Sequence, residues 1–185
     1  MLNKNLEIEL KKQQILPILN TTELNDDIKR LKVFLSNNSN IKNIEITLRK
    51  EDSFEIAKDL NKNFTNINFG LGSILSEEDY FKGKDAGFHF FVSPSIVTSL
   101  IKNRVTDYIP GGETVSEFIY LLDNGYKNIK FFPANLAGGQ KKLASIENIL
   151  KQASFIPTGG INKKNYMDFI ILKNVLCVGM SKFDD

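Results

Sequence analysis

Short apolar runs recur along the chain, and amphipathic stretches fill the intervals between them. Runs beginning near Ile15 (ILPIL), Asn43 (NIEIT), Ile67 (INFGLG), Phe88 (FHFFVS), Thr106 (TDYIP), Asn128 (NIKFF), Ser154 (SFIPTG) and Val175 (VLCVG) read as strands. Helices are predicted between them over Glu23–Leu35, Asp52–Asn61, Glu77–Lys84, Ile96–Asn103, Thr114–Asn124, Lys141–Gln152 and Asn162–Leu172. Strands alternating with amphipathic helices predict a parallel sheet with crossover connections. A count of eight strands implies closure into a (β/α)8 TIM barrel, leaner than the roughly 250 residues usual for that fold. Only Ser181 to Asp185 follow the last run, so the eighth helix is expected to be absent or truncated. The flank it leaves would need a neighbouring subunit or a displaced terminus as cover. An open doubly wound sheet is the competing architecture, but nothing resembles the glycine fingerprint of a dinucleotide fold.

Within this pattern the run NIKFFPA is anomalous, because it carries Lys130 where a buried strand should be apolar. Side chains alternate along a strand, so Ile129 and Phe131 share one face while Asn128, Lys130 and Phe132 share the other. The same alternation in NIEITLR turns Ile44 and Ile46 toward the helices and leaves Asn43, Glu45 and Thr47 facing the barrel axis, with Arg49 just beyond the strand. A charge in such a place is unfavourable unless something uses it. Taken alone, Lys130 could snorkel off the strand end and Glu45 could be solvated on an edge. A closed barrel has no edges, however, and an inward carboxylate and an inward amine suit each other as partners.

At 185 residues and 42% hydrophobic composition the chain is expected to form a single domain over 1–185. Lys plus Arg (24) nearly balances Asp plus Glu (22), so charge gives no reason to invoke nucleic acid or an anionic membrane. The partner is therefore expected to be a small molecule. No run has the length of a membrane span and the N-terminus lacks a signal-peptide core, which indicates a cytoplasmic protein. Cys177 stands alone within VLCVG and reads as a buried, inert thiol. His89, flanked by Phe88, Phe90 and Phe91, reads as a packing histidine in a crowded core. With one residue of each kind and no ligand spacing, no metal is expected, nor any other cofactor.

The segments EITLR, GLGS, FVSP, KFFPA, PTGG and VLCVGMS stand in the order and spacing of 2-keto-3-deoxy-6-phosphogluconate (KDPG) aldolase. From about Ile15 to Ser181 the chain resembles that family, which includes 4-hydroxy-2-oxoglutarate (KHG) aldolase activity. The resemblance implies a class I aldolase in which Lys130 forms a Schiff base with pyruvate and Glu45 moves protons. It implies that Arg49 and Ser73 hold the carboxylate region, that Pro94 and Phe132 shape an apolar wall, and that Thr158, Gly159, Gly160 and Ser181 grip the phosphate. It also implies a homotrimer and, as partners, pyruvate and a phosphorylated keto acid. Asn135 stands where the family usually has an acid, Ser73 where threonine is more usual, and Met180 where a second glycine is common. Asn20, ending the first strand, offers no arginine for a distal anion.

Elementary chemistry asks for the same parts. A nucleophilic lysine must be uncharged, which a solvated lysine almost never is near neutral pH, so the reading requires a desolvated amine. Glycines in PTGGIN, after the seventh strand and with Ser181 after the eighth, suit an anion at the usual phosphate end of a barrel. Alternatives are a relative using glyoxylate or the galactonate epimer, and a non-catalytic barrel that binds a phosphometabolite or a protein. The latter has no reason to keep an inward amine beside an inward carboxylate.

Overall fold

A helix that the strand pattern does not announce opens the chain. The computed structural model describes residues 1–183, so Asp184 and Asp185 of the expected tail lie outside the described residues. Helix α1 (Lys4–Gln13) starts at Asn3, whose side chain accepts from Asn5 N–H at 2.8 Å. Leu6 and Leu10, one turn apart, are buried along with Gln13. Sequence reading passed over this helix because half of it is charged, although the Asn cap and the spacing of Leu2, Leu6 and Leu10 are its signature.

Strands β1 (Ile15–Asn20), β2 (Asn43–Thr47), β3 (Asn68–Gly72), β4 (Phe90–Val92) and β5 (Tyr108–Ile109) follow, with β6 (Gly111–Gly112), β7 (Asn128–Phe131), β8 (Ser154–Pro157) and β9 (Val178–Met180). Between them run α2 (Leu24–Asn37), α3 (Ser53–Asn63), α4 (Glu77–Asp85), α5 (Thr98–Lys102), α6 (Val115–Asp123), α7 (Gly139–Ile146) and α8 (Tyr166–Ile170). Ser76 with Asp79 and Thr114 with Glu117 form capping boxes that fix the starts of α4 and α6. Helix α8 is shorter than expected. The side chains of Asn162 and Asn165 bond nearby backbone, Lys164 N–H at 2.9 Å and Asn162 N–H at 2.8 Å, and hold turns where helix was predicted.

All strand pairs are parallel, in two ladders ordered β5-β4-β3-β2-β1-β9 and β6-β7-β8. β5 falls within the fifth expected strand and β6 lies just beyond it, the two parted at Pro110, which has no amide to donate but whose carbonyl accepts from Lys130 N–H at 2.9 Å. Bridges pairing Phe155 with Val175 and Thr158 with Gly179 join β8 to β9, completing the (β/α)8 barrel. Outward residues such as Ile44, Ile46, Ile129, Phe131 and Phe155 pack against Leu31, Leu60, Phe118 and Leu121 of the helices. Phe118 meets Phe155 edge-on at 4.8 Å between centroids.

Inside the barrel, Leu16, Phe90, Val92, Ile109, Ile156 and Cys177 form a second cluster with Leu6 and Leu10. Helix α1 therefore plugs the amino-terminal end. Polar contacts seat it there: Asn43 Nδ2 donates to Glu9 at 3.0 Å, Asn128 Nδ2 to Glu7 at 3.2 Å, and Gln13 Nε2 to Asn43 O at 2.9 Å. The inward asparagines that begin β2 and β7 are thus satisfied by the helix. The flank beyond β9 is partly covered by Phe183, which packs edge-on against Phe34 of α2 at 4.7 Å. No helix among the described residues is long and apolar enough to cross a membrane.

Candidate active site

Above the apolar plug, toward the carboxyl ends of the strands, the barrel interior turns polar. Lys130 of β7 and Glu45 of β2 meet there, with Lys130 Nζ donating to Glu45 Oε1 at 3.0 Å. The pair is almost fully enclosed, at 5% and 1% exposure. Room for it comes from glycine. A Cβ on Gly72 of β3 would lie 2.7 Å from Glu45 Cδ, and a Cβ on Gly179 would lie 3.1 Å from Thr158 Cβ and 3.0 Å from Ile18 Cδ1. Beneath the carboxylate, burial raises the Cys177 thiol well above its ordinary range, and the nearby Glu45 charge adds to the effect. Cys177 is an inert part of the packed interior, as expected.

Lys130 enters a cleft lined by Arg49, Ser73, Pro94, Phe132, Thr158, Gly159, Gly160 and Ser181, each lying just beyond the end of its strand. The residues singled out for the site are thus brought together, Glu45 through its hydrogen bond with Lys130 and the rest as lining of the cleft. The Phe132 ring sits 5.7 Å from Lys130 Nζ and Pro94 faces the same cleft, so the amine has apolar neighbours as well as its carboxylate. Arg49 is exposed at the rim. Ser73 adopts a left-handed backbone, φ 63°, uncommon outside glycine and recurrent at ligand sites. Behind it, the buried Tyr108 hydroxyl donates to Ser93 Oγ at 2.6 Å and Ser93 donates to Ile74 O at 2.7 Å, tying the turns after β3 and β4 together. Burial pushes the Tyr108 phenol up to about 12, so it stays a donor throughout the working pH range.

Four lining residues were not singled out for the site: Thr47, read only as facing the barrel axis, and Ile161, Gly179 and Ile18. The period-two alternation of β1 that turns Leu16 inward also turns Ile18 inward, so that one was available. One expectation is corrected. His89 is exposed, because it precedes β4 at the amino-terminal end of the barrel, where it lies among the polar Asn3, Asn5, Glu9 and Asp107 instead of under the helices. Met180, which stands where a second glycine is common in the family, has its side chain buried among the outward residues of the core. Helix α8 does not adjoin the glycine turn, because it begins at Tyr166, six residues past Gly160.

A barrel with an enclosed amine and carboxylate in contact at the carboxyl ends of its strands has the build of an enzyme, with its reacting groups in a small cleft. Comparison with known proteins fixes which kind. The family model "KDPG and KHG aldolase" matches residues 6–185, and the chain belongs to that family. It is an aldolase, a carbon–carbon lyase. It is 33% identical over 170 residues to the KHG/KDPG aldolase of Escherichia coli K12, covering 90% of this chain and 79% of that one. Among solved structures it resembles KDPG aldolase from Legionella pneumophila, with pyruvate captured at low pH as a covalent carbinolamine intermediate. That match has 31% identity and a TM-score of 0.86, over 94% of this chain and 84% of the other. KDPG aldolase of Zymomonas mobilis ZM4 with 3-phosphoglycerate superposes at a TM-score of 0.88 and 26% identity, over 97% and 86%.

Proposed function

We propose that the chain is a class I aldolase that cleaves KDPG to pyruvate and glyceraldehyde 3-phosphate, with Lys130 as nucleophile and Glu45 as proton carrier. The observation that carries this reading is the 3.0 Å contact between the two groups in an enclosed cleft. The Lys130 amine adds to the C2 carbonyl of the substrate to give a carbinolamine. Glu45, holding the proton that Lys130 gave up to become the free amine, supplies it to the carbinolamine hydroxyl, which leaves as water, and an iminium forms. The Glu45 carboxylate then takes the proton of the C4 hydroxyl. The C4–O electrons form the aldehyde, the C3–C4 bond breaks, and its electron pair neutralises the iminium as an enamine. Return of the proton to C3, followed by water addition, frees pyruvate and the amine.

Arg49 and Ser73 are suited to the carboxylate of the keto acid, the first as a charged donor at the rim and the second through its hydroxyl. Pro94 and Phe132 exclude water from the forming iminium. Thr158, Gly159, Gly160 and Ser181 lie at the far side, where a turn with φ of 102° and 74° at its two glycines brings backbone close to a phosphate. The Legionella relative's covalent pyruvate and the Zymomonas relative's phosphorylated three-carbon acid support the two halves of this assignment. The Escherichia coli relative's double name favours 4-hydroxy-2-oxoglutarate as a second substrate.

The test is a turnover assay of the purified chain with KDPG, its galactonate epimer and 4-hydroxy-2-oxoglutarate, reading released pyruvate. KDPG should be cleaved fastest and Lys130→Ala should abolish release. Absence of pyruvate from all three substrates would remove the proposal.

A further inference from the structure

Two carbonyls in the turn after β8 are tied down from outside the cleft. Asn135 N–H donates to Gly159 O at 3.2 Å, and Asn165 Nδ2 donates to Gly160 O at 3.0 Å. Asn165 is itself oriented, because its Oδ1 accepts from Asn162 N–H at 2.8 Å and leaves the amide NH2 to face Gly160. The peptide units concerned, Gly159–Gly160 and Gly160–Ile161, are trans. In a trans unit the C=O and N–H point in opposite directions across the plane. Holding both oxygens outward therefore turns Gly160 N–H and Ile161 N–H away from Asn135 and Asn165, and neither amide donates to an acceptor among the described residues. Gly160 and Ile161 both line the cleft that Lys130 enters.

The consequence of losing one tether is specific. Gly160 has φ 74° and no side chain to resist rotation of its peptide. A flip of the Gly160–Ile161 unit would bring a carbonyl oxygen where an amide donor had been, replacing attraction for an anion by repulsion. Asn135 braces the preceding unit through its backbone, and its side chain crowds the position: a Cβ on Gly160 would lie 2.6 Å from Asn135 Cβ. The tether that a side chain supplies is Asn165.

We infer that Asn165 is a positioning residue for phosphate recognition, its carboxamide setting the direction of the Gly160–Ile161 peptide so that amide donors face the cleft. This deepens the aldolase reading, on which it rests for the identity of the phosphorylated substrate. The affinity of the turn for phosphate can be measured without turnover.

The experiment titrates inorganic phosphate into the wild type, Asn165→Ala and Asn165→Asp by calorimetry, and traps pyruvate on each with borohydride. The alanine variant should bind phosphate about tenfold more weakly, the equivalent of one lost hydrogen bond in a charged site. Its reduced pyruvate adduct should match the wild type. Asn165→Asp keeps the acceptor for Asn162 N–H but not the donor, and should weaken phosphate at least as much. With KDPG, the alanine variant should show the loss in KM, with kcat within about twofold. Unchanged phosphate affinity, or none in the wild type, overturns the inference. So does a parallel loss of phosphate affinity and adduct in both variants, the mark of general damage. Absence of the adduct from the wild type counts against the aldolase reading instead, and the phosphate comparison still decides the role of Asn165.

Discussion

Glu45 keeps its carboxyl group in the volume that any side chain at position 72 would occupy: a Cβ there would lie 2.7 Å from its Cδ and 2.8 Å from its Cγ. Gly72 sits on the neighbouring strand in a regular extended position, so its role is spatial. Gly72→Ala should push the carboxylate out of line with Lys130. Turnover should fall about 100-fold, the scale of a 1 Å misplacement of a reacting group. Steady-state kinetics on the folded variant checks this, and undiminished kcat would show that the carboxylate position is unimportant.

Removing one member of the enclosed pair should cost more than removing its charge partner with it. Lys130→Met leaves Glu45 buried without its cation, and a stability loss of about 3–5 kcal/mol is expected. Adding Glu45→Gln replaces the stranded carboxylate by a neutral amide, so the double variant should be the more stable of the two. Urea denaturation orders them. The reverse order would mean that the pair is not electrostatically coupled.

Glu45→Gln alone keeps the shape of the side chain and removes its basicity. Turnover should drop by about 10²–10⁴, the usual contribution of a positioned acid/base, while pyruvate affinity changes far less. Equal turnover in the Gln variant would end the proton-carrier role.

Leu10 of α1 is fully buried inside the lower barrel. Leu10→Ala should lower stability by about 2–5 kcal/mol through the cavity it opens. The cleft is at the opposite end, so adduct formation by the folded variant should persist. Thermal unfolding read beside borohydride trapping tests both halves.

The capping box of α6 gives a pH dependence. Burial of the Glu117 carboxyl opposes its ionisation, but bonds from the Thr114 hydroxyl and backbone, Glu113 N–H and the Lys142 charge outweigh this and lower it from its ordinary 4.5. A carboxyl lowered on folding stabilises the fold above its unfolded value, and that stability is lost as pH falls through the folded value. Between neutral pH and the acid limit, wild type should therefore lose stability that Glu117→Gln does not have to lose. The difference at neutral pH should be about 0.5 kcal/mol, since the carboxyl is largely solvent-exposed and its interactions are screened. Parallel stability curves for the two proteins would contradict the assignment.

Much of the barrel was legible because its signals are local. Every strand run appears in the structure, and alternation in NIEIT and NIKF placed Glu45 and Lys130 inward without reference to any relative. What was missed depends on partners far along the chain. Helix α1 is amphipathic only weakly, and it forms because the barrel end offers Leu16, Ile109 and Cys177 to Leu6 and Leu10. Asn43 and Asn128 look like ordinary polar strand starts until Glu9 and Glu7 come to meet them. His89 was assigned to the core by its aromatic neighbours, yet it lies ahead of β4 among Asn3, Asn5, Glu9 and Asp107, a setting that only the folded chain assembles. The direction of Met180 follows from period-two alternation, since Gly179 beside it faces the cleft.

The nucleophilic role of Lys130 is tested most directly by incubating the protein with pyruvate, reducing with borohydride, and mapping the product by peptide mass spectrometry. A single reduced pyruvate adduct on Lys130, absent from Lys130→Ala, is the expected result. An unmodified Lys130, or label spread over the surface lysines, would contradict it.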